Sequence, residues 1–558
     1  MPSRLHRPLL LATCLLLAGT GSAIADARSE AYIQAARAFA DTVLEHGRDT
    51  YGQEKTPLFV DGLHVKTLEP VRWKKDGETW VLSNFASQQP LLRLLDGLTA
   101  LAGEARYREA AEDAARYALA HCQAPNGLLY WGGHAAWDLA GDKAVGQYGS
   151  KIHELKGHQP YYRLMWRVDP ERTRRLLGAV WAGHVLDWST LDYNRHASTT
   201  KNDAKPQWGH AFNASLEVPF PTKGGNLSFV NVTPPLMHAG AMLAVLGDDA
   251  NALAWTRRLA ERWQQGRHPK TGLCGGQLSY REKDRAQEAL GHVHPEINEA
   301  KIVASYHQTC RYHSLPLAQM QAGEALVAAG GKAAEVGRQF IHWASDDLKT
   351  YADRCWDDEA GVFVTCQTDG TPLKWKEAKT GYYTPNSFAP RKADGTLLWG
   401  YAMAYRLTGD AGHWRMVRRI AKDRGLGDVG RPDGTDRDLL ADPNSADGEA
   451  IYTLLELRAA TGDAAFLTAA RGVAENLLPR QAKTGLFPNG KAEYARTGDE
   501  APLALLHLAG AIEGKRDALP PAAFDRRFFH CVYEGPLKPH QQKRADSRTY
   551  DSRVFYGG

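Results

Sequence analysis

The sequence predicts an all-α fold: an α/α toroid of helical hairpins, seven-fold, with short β-hairpins on the face where the loops gather. Two recurring turns between amphipathic helical patterns predict it. In the first kind, a glycine ends one helix, an acidic residue caps the next, and an aromatic residue packs the corner. In the second kind, a glycine precedes an apolar residue at the far ends of the helices. A ring of antiparallel helices needs two alternating kinds of turn.

Each kind of turn recurs four times. The glycine–acid connectors and their aromatic residues are Gly103-Glu104 with Tyr107, Gly247-Asp248 with Trp255, Gly409-Asp410 with Trp414, and Gly462-Asp463 with Phe466. The second turns are Asn126-Gly127-Leu128, Thr271-Gly272-Leu273, Ala360-Gly361-Val362 and Thr484-Gly485-Leu486. Their irregular spacing excludes a short-period solenoid. A series of separate helical domains is the alternative, but no Pro/Ser-rich linker divides the chain.

The composition is that of an ordinary globular chain. The 558 residues include 68 basic and 64 acidic side chains, a formal net charge of +4, with 43% hydrophobic and 24% charged residues. These values exclude a disordered chain, a collagen-like repeat and a polytopic membrane protein. A general nucleic-acid binder would show a strong basic excess, so we expect no nucleic-acid partner.

The N-terminal 25 residues have the pattern of a signal peptide. Arg4 and Arg7 precede the apolar run 9–18, and the small-residue sequence Ala23-Ile24-Ala25 follows as a cleavage site. The run is shorter than the ~20 residues that span a bilayer. We therefore expect an exported protein, periplasmic or secreted, without a membrane span.

The six cysteines that remain after cleavage leave the disulfide question open. No C-x-x-C pair occurs, which argues against a zinc ribbon or a thioredoxin-like site. Cys355 and Cys366 flank a turn-like sequence and could bridge a hairpin. Buried free thiols in a large core are the alternative.

The pattern beyond the signal peptide predicts one catalytic toroid and a C-terminal strap. The toroid is expected over residues 26–519. From residue 520 the composition changes to aromatic residues among many arginines, which predicts a strap over residues 520–558 packed on the toroid. We expect a monomer.

The densest group of polar residues lies between residues 131 and 213. His134, Glu154 and His196 form a mixed nitrogen and oxygen set that suits a divalent cation such as Mn²⁺ or Co²⁺. Unrelated surface and capping residues are the alternative, since 21 histidines make chance clusters easy. Spacing alone does not exclude His153 or His158 as ligands.

This part of the chain resembles polysaccharide lyase family 2, the periplasmic pectate lyases. The similarity is carried by the run 154–158, Glu-Leu-Lys-Gly-His, and by Asn194-Arg195-His196, where the adjacent Arg-His pair is the most specific feature. Segments 57–62, 83–89 and 500–506 are also similar to the family.

The resemblance implies a metal-dependent lyase that acts on polygalacturonate or oligogalacturonides. It implies that His134, Glu154 and His196 bind a divalent metal, Mn²⁺ or a similar transition metal or Ca²⁺, and that Arg195 is the catalytic base. The metal would stabilise charge on the uronate carboxylate while the C5 proton is removed. The family also uses a lysine near the reaction centre, for which Lys301 is a candidate.

An arginine base has a physical cost that leaves a second role open. The ordinary pKa of arginine lies above about 12, so deprotonation near pH 7 costs roughly 7–8 kcal/mol. A nearby cation and high pH would lower that cost. The alternative for Arg195 is binding of a substrate carboxylate, which guanidinium groups commonly do.

Further polar and aromatic residues suit a sugar site, and two other functions remain open. The candidate substrate contacts are Gln88, Gln89, Trp131, His210 and Asn213. One alternative is an inverting glycoside hydrolase, which needs two carboxyls about 6.5–9.5 Å apart. Its candidate carboxyls are Asp61, Asp138, Asp442 and Asp447. The other alternative is a non-catalytic oligosaccharide-binding protein.

Overall fold

Pairs of consecutive helices build this protein, as the computed structural model shows. The structure describes residues 12–75, 77–146, 148–155, 157–201, 205–222, 227–306, 309–374, 388–526, 529–531, 549–550 and 554–555, with side chains from residue 28. The helices are α1 (Ala12–His46), α2 (Gln89–Ala102), α3 (Ala105–His121), α4 (Tyr162–Val168), α5 (Pro170–His184), α6 (Thr233–Gly247), α7 (Ala250–Gln265), α8 (Arg285–Leu290), α9 (Arg311–Ala329), α10 (Gly331–Cys355), α11 (Gly395–Thr408), α12 (Ala411–Asp423), α13 (Gly448–Thr461), α14 (Ala464–Leu477) and α15 (Ala501–Ile512).

The strands are all short and belong to small sheets. They are β1 (Gly62–His64), β2 (Trp73–Lys75), β3 (Glu78–Trp80), β4 (Leu82–Ser83), β5 (Ala135–Asp138), β6 (Lys143–Gly146), β7 (Ile152–Glu154), β8 (Gly157–His158), β9 (Val185–Asp187), β10 (Asp192–Tyr193), β11 (His196–Ser198), β12 (Phe220–Pro221), β13 (Ser279–Tyr280), β14 (Ile302–Val303), β15 (Trp356–Asp357), β16 (Val362–Phe363), β17 (Cys366–Gln367), β18 (Gly427–Asp428), β19 (Asp438–Leu439), β20 (Tyr494–Arg496), β21 (Asp525–Arg526), β22 (His530–Cys531) and β23 (Thr549–Tyr550). Ten sheets of the described residues have two strands, and β4–β5–β6 has three.

The helices form the predicted α/α toroid. Helices α2, α4, α6, α9, α11, α13 and α15 form the inner ring, and each packs against an outer partner, in order α3, α5, α7, α10, α12, α14 and α1. The ring closes because α15 packs on both α1 and α2. One continuous apolar core runs from Tyr32 to Phe524, so the helices are not separate domains.

The glycine–acid connectors form as predicted at two of their four positions, Gly409-Asp410 and Gly462-Asp463; at Gly103-Glu104 the glycine ends the helix in the left-handed region, but the glutamate side chain makes no cap hydrogen bond. Gly409 ends α11 in the left-handed region, and the Asp410 carboxylate accepts a hydrogen bond from the Gly412 N–H at the start of α12. The fourth connector is shifted by one residue. Asp248 itself takes the left-handed conformation, and Asp249 caps α7. The prediction that Asp248 is the cap was wrong, because two acidic residues follow Gly247 and the second one has the capping geometry.

The structure describes the predicted signal peptide and the predicted C-terminal strap only in part. Helix α1 runs continuously through the expected cleavage site, so the removal of residues 1–25 stays a prediction. At the other end, Asp525 pairs with His158, and the Phe524 N–H donates to Gln321. The beginning of the expected strap therefore lies against the toroid, whereas most of residues 532–558 are outside the described part.

Two further predictions concern membranes and cysteines. In the described chain, the stretch Val230–Gly247 is long and apolar enough to span a membrane, but 78% of it is buried inside the protein, as for a core helix. The Cys355 and Cys366 thiols are buried, with their Sγ atoms 3.7 Å apart. No covalent bond joins the two sulfur atoms, and their separation is compatible both with a disulfide and with two free thiols.

Candidate metal centre

Three segments bring polar side chains to one point on the face that carries the strands. β7 and β11 pair in antiparallel fashion with His196 directly opposite Glu154. His134 comes from the loop that leads into β5. Residues directly opposite in such a pair have Cβ atoms about 5 Å apart. This register therefore places the glutamate and the second histidine side by side.

The side chains of His134, Glu154 and His196, which we call the His–Glu–His cluster, are close enough to share one ion. One donor atom from each lies within 4.8 Å of the other two. His134 Nε2 is 2.8 Å from Glu154 Oε2, and His196 Nε2 is 3.5 Å from Glu154 Oε1. His134 and Glu154 are buried, while His196 is half-buried. The cluster is thus open on the side of His196.

A glycine allows the His134 loop to approach β7. Gly132 has a φ of +97°, and a Cβ atom there would lie 2.4 Å from the carbonyl oxygen of Glu154. The Gly133 N–H donates to the same carbonyl at 3.2 Å. A larger residue at position 132 would push the loop, and His134 with it, away from Glu154.

The cluster fits a divalent cation. Two imidazole nitrogens and a carboxylate oxygen are a donor set that suits a divalent transition metal. His196 Nε2 makes no hydrogen bond to any described residue, and its ion-pair neighbour is Glu154 Oε1 of the same cluster, at 3.5 Å. The carboxylate also supplies the negative charge that balances part of a cation's charge.

Arg195 lies at the rim of the cluster. Its Nε is 3.6 Å from Glu154 Oε1, and its side chain is 29% exposed. The Leu155 N–H donates to the Arg195 carbonyl at 2.9 Å, which fixes the backbone of this residue to the strand that carries Glu154. The guanidinium group can therefore meet both the cluster and a ligand from solvent.

The structure places the two competing histidines outside the cluster. His153 precedes Glu154 on β7 and is completely buried, with ring nitrogens bonded to Trp131 and His184. Burial lowers the pKa of His153 well below its ordinary value and that of His184 to about 4. His158 lies edge-on to Trp131, with ring centroids 6.0 Å apart.

Three expected substrate contacts have internal roles instead. The Gln88 amide donates to the Phe59 carbonyl, and the Gln89 amide donates to that of Phe85. Both glutamines are fully buried, and Trp131 is 2% exposed. We do not retain these three side chains as sugar contacts, because none of them reaches a surface that a sugar could touch.

The other two expected contacts are exposed. His210 and Asn213 lie between β11 and β12. The Asn213 N–H donates to the Ser189 carbonyl, and the Arg262 guanidinium donates to the Asn213 carbonyl at 2.8 Å, so this segment is held in place. No described contact joins either residue to the cluster. They stay candidates for hydrogen bonds to a long substrate.

Tyr148 is a candidate that the sequence analysis did not select. It is 43% exposed, and its ring lies edge-on to His134 with centroids 5.0 Å apart. An exposed aromatic ring beside the His–Glu–His cluster suits the face of a sugar. Its position in the turn between β6 and β7, next to Gly149, was the available signal.

The remaining candidates are occupied elsewhere. The Lys301 ammonium donates to the Glu296 carbonyl at 2.7 Å, with no described contact to the cluster. Asp138 accepts from the Val81 N–H, and Asp61 accepts from the Asn84 N–H, so these buried carboxylates hold backbone. Asp447 caps α13. Three of the four carboxyls that a hydrolase would need thus have structural roles.

Solved structures of sugar-acting proteins have low similarity to this chain. A cellobiose 2-epimerase from Bacillus thermoamylovorans B4167 is 10% identical with a TM-score of 0.38, covering 72% of this chain and 90% of that chain. A family 76 glycoside hydrolase (mannosidase) from Bacteroides thetaiotaomicron VPI-5482 is 10% identical with a TM-score of 0.40, covering 87% of this chain and 99% of that chain.

The sequence relatives are closer. A pectate disaccharide-lyase of Dickeya dadantii (strain 3937) is 28% identical over 532 residues, covering 90% of this chain and 92% of the relative. The family model described as periplasmic pectate lyase matches residues 56–532, which include the whole His–Glu–His cluster and Arg195. The chain therefore belongs to the periplasmic pectate lyase family and is a polysaccharide lyase.

Proposed function

We propose that this protein cleaves polygalacturonate and oligogalacturonides by β-elimination, at a divalent cation held by His134, Glu154 and His196, with Arg195 as the base. One observation carries the proposal. The Arg195 guanidinium reaches to 3.6 Å from the carboxylate of a cluster that offers three metal donors. Base and metal site are thus adjacent, as proton abstraction next to a carboxylate requires.

The bound cation would act as a Lewis acid on the uronate carboxylate and stabilise the negative charge that develops next to C5. Mn²⁺ or a similar transition metal suits the two imidazole donors, whereas Ca²⁺ prefers oxygen ligands. Arg195, in its neutral form, would take the C5 proton while the bond from C4 to the glycosidic oxygen breaks. The departing oxygen would take a proton from solvent water, so the products are a C4–C5 double bond on one fragment and a new hydroxyl end on the other.

Other residues of this face would hold the substrate. The exposed ring of Tyr148 supports contact with a sugar face close to His134. His210 and Asn213 are exposed and suited to sugar hydroxyls further along the chain. We further propose export to the periplasm, which the family's description supports. Removal of residues 1–25 and action as a monomer are parts of the same proposal.

A single assay separates the three kinds of function. Polygalacturonate is incubated with the protein and Mn²⁺, and both ultraviolet absorbance and reducing ends are followed. We expect absorbance from the unsaturated product, and its loss on chelation and in Glu154→Ala. Reducing ends without absorbance would indicate a hydrolase, and neither signal would indicate a binding protein. Full activity in Glu154→Ala would contradict the metal proposal.

A further inference from the structure

Beneath the His–Glu–His cluster, four residues form a continuous chain of hydrogen bonds. The Trp131 indole Nε1 is 2.8 Å from His153 Nε2, and His153 Nδ1 is 2.8 Å from His184 Nε2. His184 Nδ1 is 2.7 Å from the Asn194 carbonyl oxygen. Both histidines have no exposed surface. This buried chain has no role in the function proposed above.

The indole at one end of the chain and the carbonyl at the other leave one arrangement of protons, in which each ring carries a single proton and is neutral. An indole N–H only donates, so His153 Nε2 must accept. His153 then carries its proton on Nδ1 and donates to His184 Nε2. His184 in turn carries its proton on Nδ1 and donates to Asn194, because a carbonyl only accepts. Each bond therefore fixes the tautomer of the next ring.

The chain connects the three segments that supply the cluster. Trp131 precedes the Gly132 turn that leads to His134, and His153 is the neighbour of Glu154 on β7. Successive strand residues point to opposite faces, so His153 lies behind the strand whose front carries the glutamate. The last link ends at Asn194, directly before Arg195.

We propose that His153 and His184 are positioning residues, a neutral imidazole relay that sets the Asn194 backbone, and with it Arg195 and His196, beside Glu154. This rests on the proposed function for its catalytic meaning. Groups that hydrogen-bond to the ligands of a metal site commonly change metal affinity by about 10–100-fold, and His184 acts one step further away, through the Asn194 backbone that leads to His196. The Asn194 N–H also donates to the His184 carbonyl at 2.8 Å, so His184 holds this residue from both sides.

The first test reads the tautomers directly in the metal-free wild-type protein. Protein with ¹⁵N-labelled histidine is examined by long-range ¹H–¹⁵N NMR. We expect two buried neutral rings, assigned to His153 and His184 by their loss in single variants, both protonated on Nδ1. A ring protonated on Nε2 at either position would overturn the relay, whether or not the protein proves to be a lyase.

The second test separates positioning from simple stability. His184→Gln keeps one donor and one acceptor, whereas His184→Leu keeps neither. We expect His184→Leu to weaken Mn²⁺ binding by about 10–100-fold and to lower kcat more than it changes KM, with His184→Gln restoring most of both. His413→Leu is the matched control, since His413 is also fully buried and its Nε2 lies 2.7 Å from the Ser345 hydroxyl, remote in sequence from the cluster.

Each outcome of these measurements supports or overturns the positioning role of His153 and His184. Wild-type Mn²⁺ affinity and kcat in His184→Leu would overturn the proposal, as would an equal loss in His413→Leu. If His184→Leu does not fold, Trp131→Phe removes only the terminal donor, and His153 should then lose its fixed tautomer in the NMR spectrum. An inactive wild type with intact Mn²⁺ binding and Nδ1–H rings would count against the proposed reaction and leave the relay supported.

Discussion

Replacing Glu154 by glutamine should abolish tight metal binding while keeping the fold. The side chain is 1% exposed, and its two oxygens lie 2.8 Å from His134 Nε2 and 3.5 Å from His196 Nε2. Glutamine has the same shape and keeps one oxygen, so β7 and β11 should still pair. It removes the only carboxylate of the His–Glu–His cluster and leaves a bound cation without its balancing charge.

The size of this effect follows from the burial of Glu154. Removing one partner of a buried charge pair costs about 3–5 kcal/mol, because the other charge is left uncompensated. At about 1.4 kcal/mol per tenfold change, Mn²⁺ should bind at least about 100-fold more weakly to Glu154→Gln. Isothermal titration calorimetry with Mn²⁺ at pH 7 measures the dissociation constant directly.

The matched control is a buried glutamate away from the cluster. Glu299 is 2% exposed and lies 3.7 Å from Arg281. Glu299→Gln makes the same substitution at a buried carboxyl that has no described contact with the cluster, although Glu299 is only partly ionised at pH 7, and it should bind Mn²⁺ as the wild type does. Binding within threefold of wild type in Glu154→Gln would refute the reasoning, as would an equal loss in Glu299→Gln.

Three further expectations concern the base, a buried carboxyl and the thiols. Arg195→Lys should lower kcat by at least about 100-fold, which is the lower end of what general bases contribute, with little change in KM. A large rise in KM with a nearly unchanged kcat would instead make Arg195 a carboxylate-binding residue. Burial raises the pKa of Glu299 from 4.5 to about 7, so the folded state loses stability as pH rises through this range. Glu299→Gln should therefore be more stable than wild type by roughly 3 kcal/mol at pH 8 but not at pH 4 in urea unfolding; equal stability at pH 8 would contradict this. Cys355 and Cys366 should form a disulfide in protein purified from an oxidising compartment. Their Sγ atoms are 3.7 Å apart, and closing this distance to the ~2 Å of a disulfide needs only a small movement. Two free thiols in non-reducing peptide mapping would refute it.

The ring of helices was predictable because its turns depend on local chemistry. Gly409 and Asp410 end one helix and cap the next by backbone conformation and a carboxylate hydrogen bond, both of which a short sequence specifies. At Asp248 the same rule failed by one residue, because consecutive acids offer two caps and only the tertiary packing selects between them.

The sequence predicted which three side chains form the His–Glu–His cluster, but it did not predict how the residues around the cluster are oriented. The adjacent pair Arg195-His196 marks its own position in the sequence, but the register that sets His196 against Glu154 depends on strand pairing. Trp131 looked like a sugar platform, yet its indole N–H bonds to His153 inside the protein. Sequence gives the residue type, and only the fold decides whether a polar tip points outward or into the core.

Gln89 illustrates the same limit in a polar side chain. Its amide donates to the Phe85 carbonyl, and its oxygen accepts from the Tyr161 N–H, so it joins the start of α2 to the segment before α4. A glutamine at a helix start is equally suited to a sugar hydroxyl, and no local pattern distinguishes the two uses.

The metal centre is tested most directly by anomalous diffraction from crystals grown with Mn²⁺. We expect one strong anomalous peak bound by His134 Nε2, a Glu154 carboxylate oxygen and His196 Nε2, with the Arg195 guanidinium at its rim. A crystal of active protein with its Mn²⁺ peak elsewhere, or with no peak among these three side chains, would contradict the account.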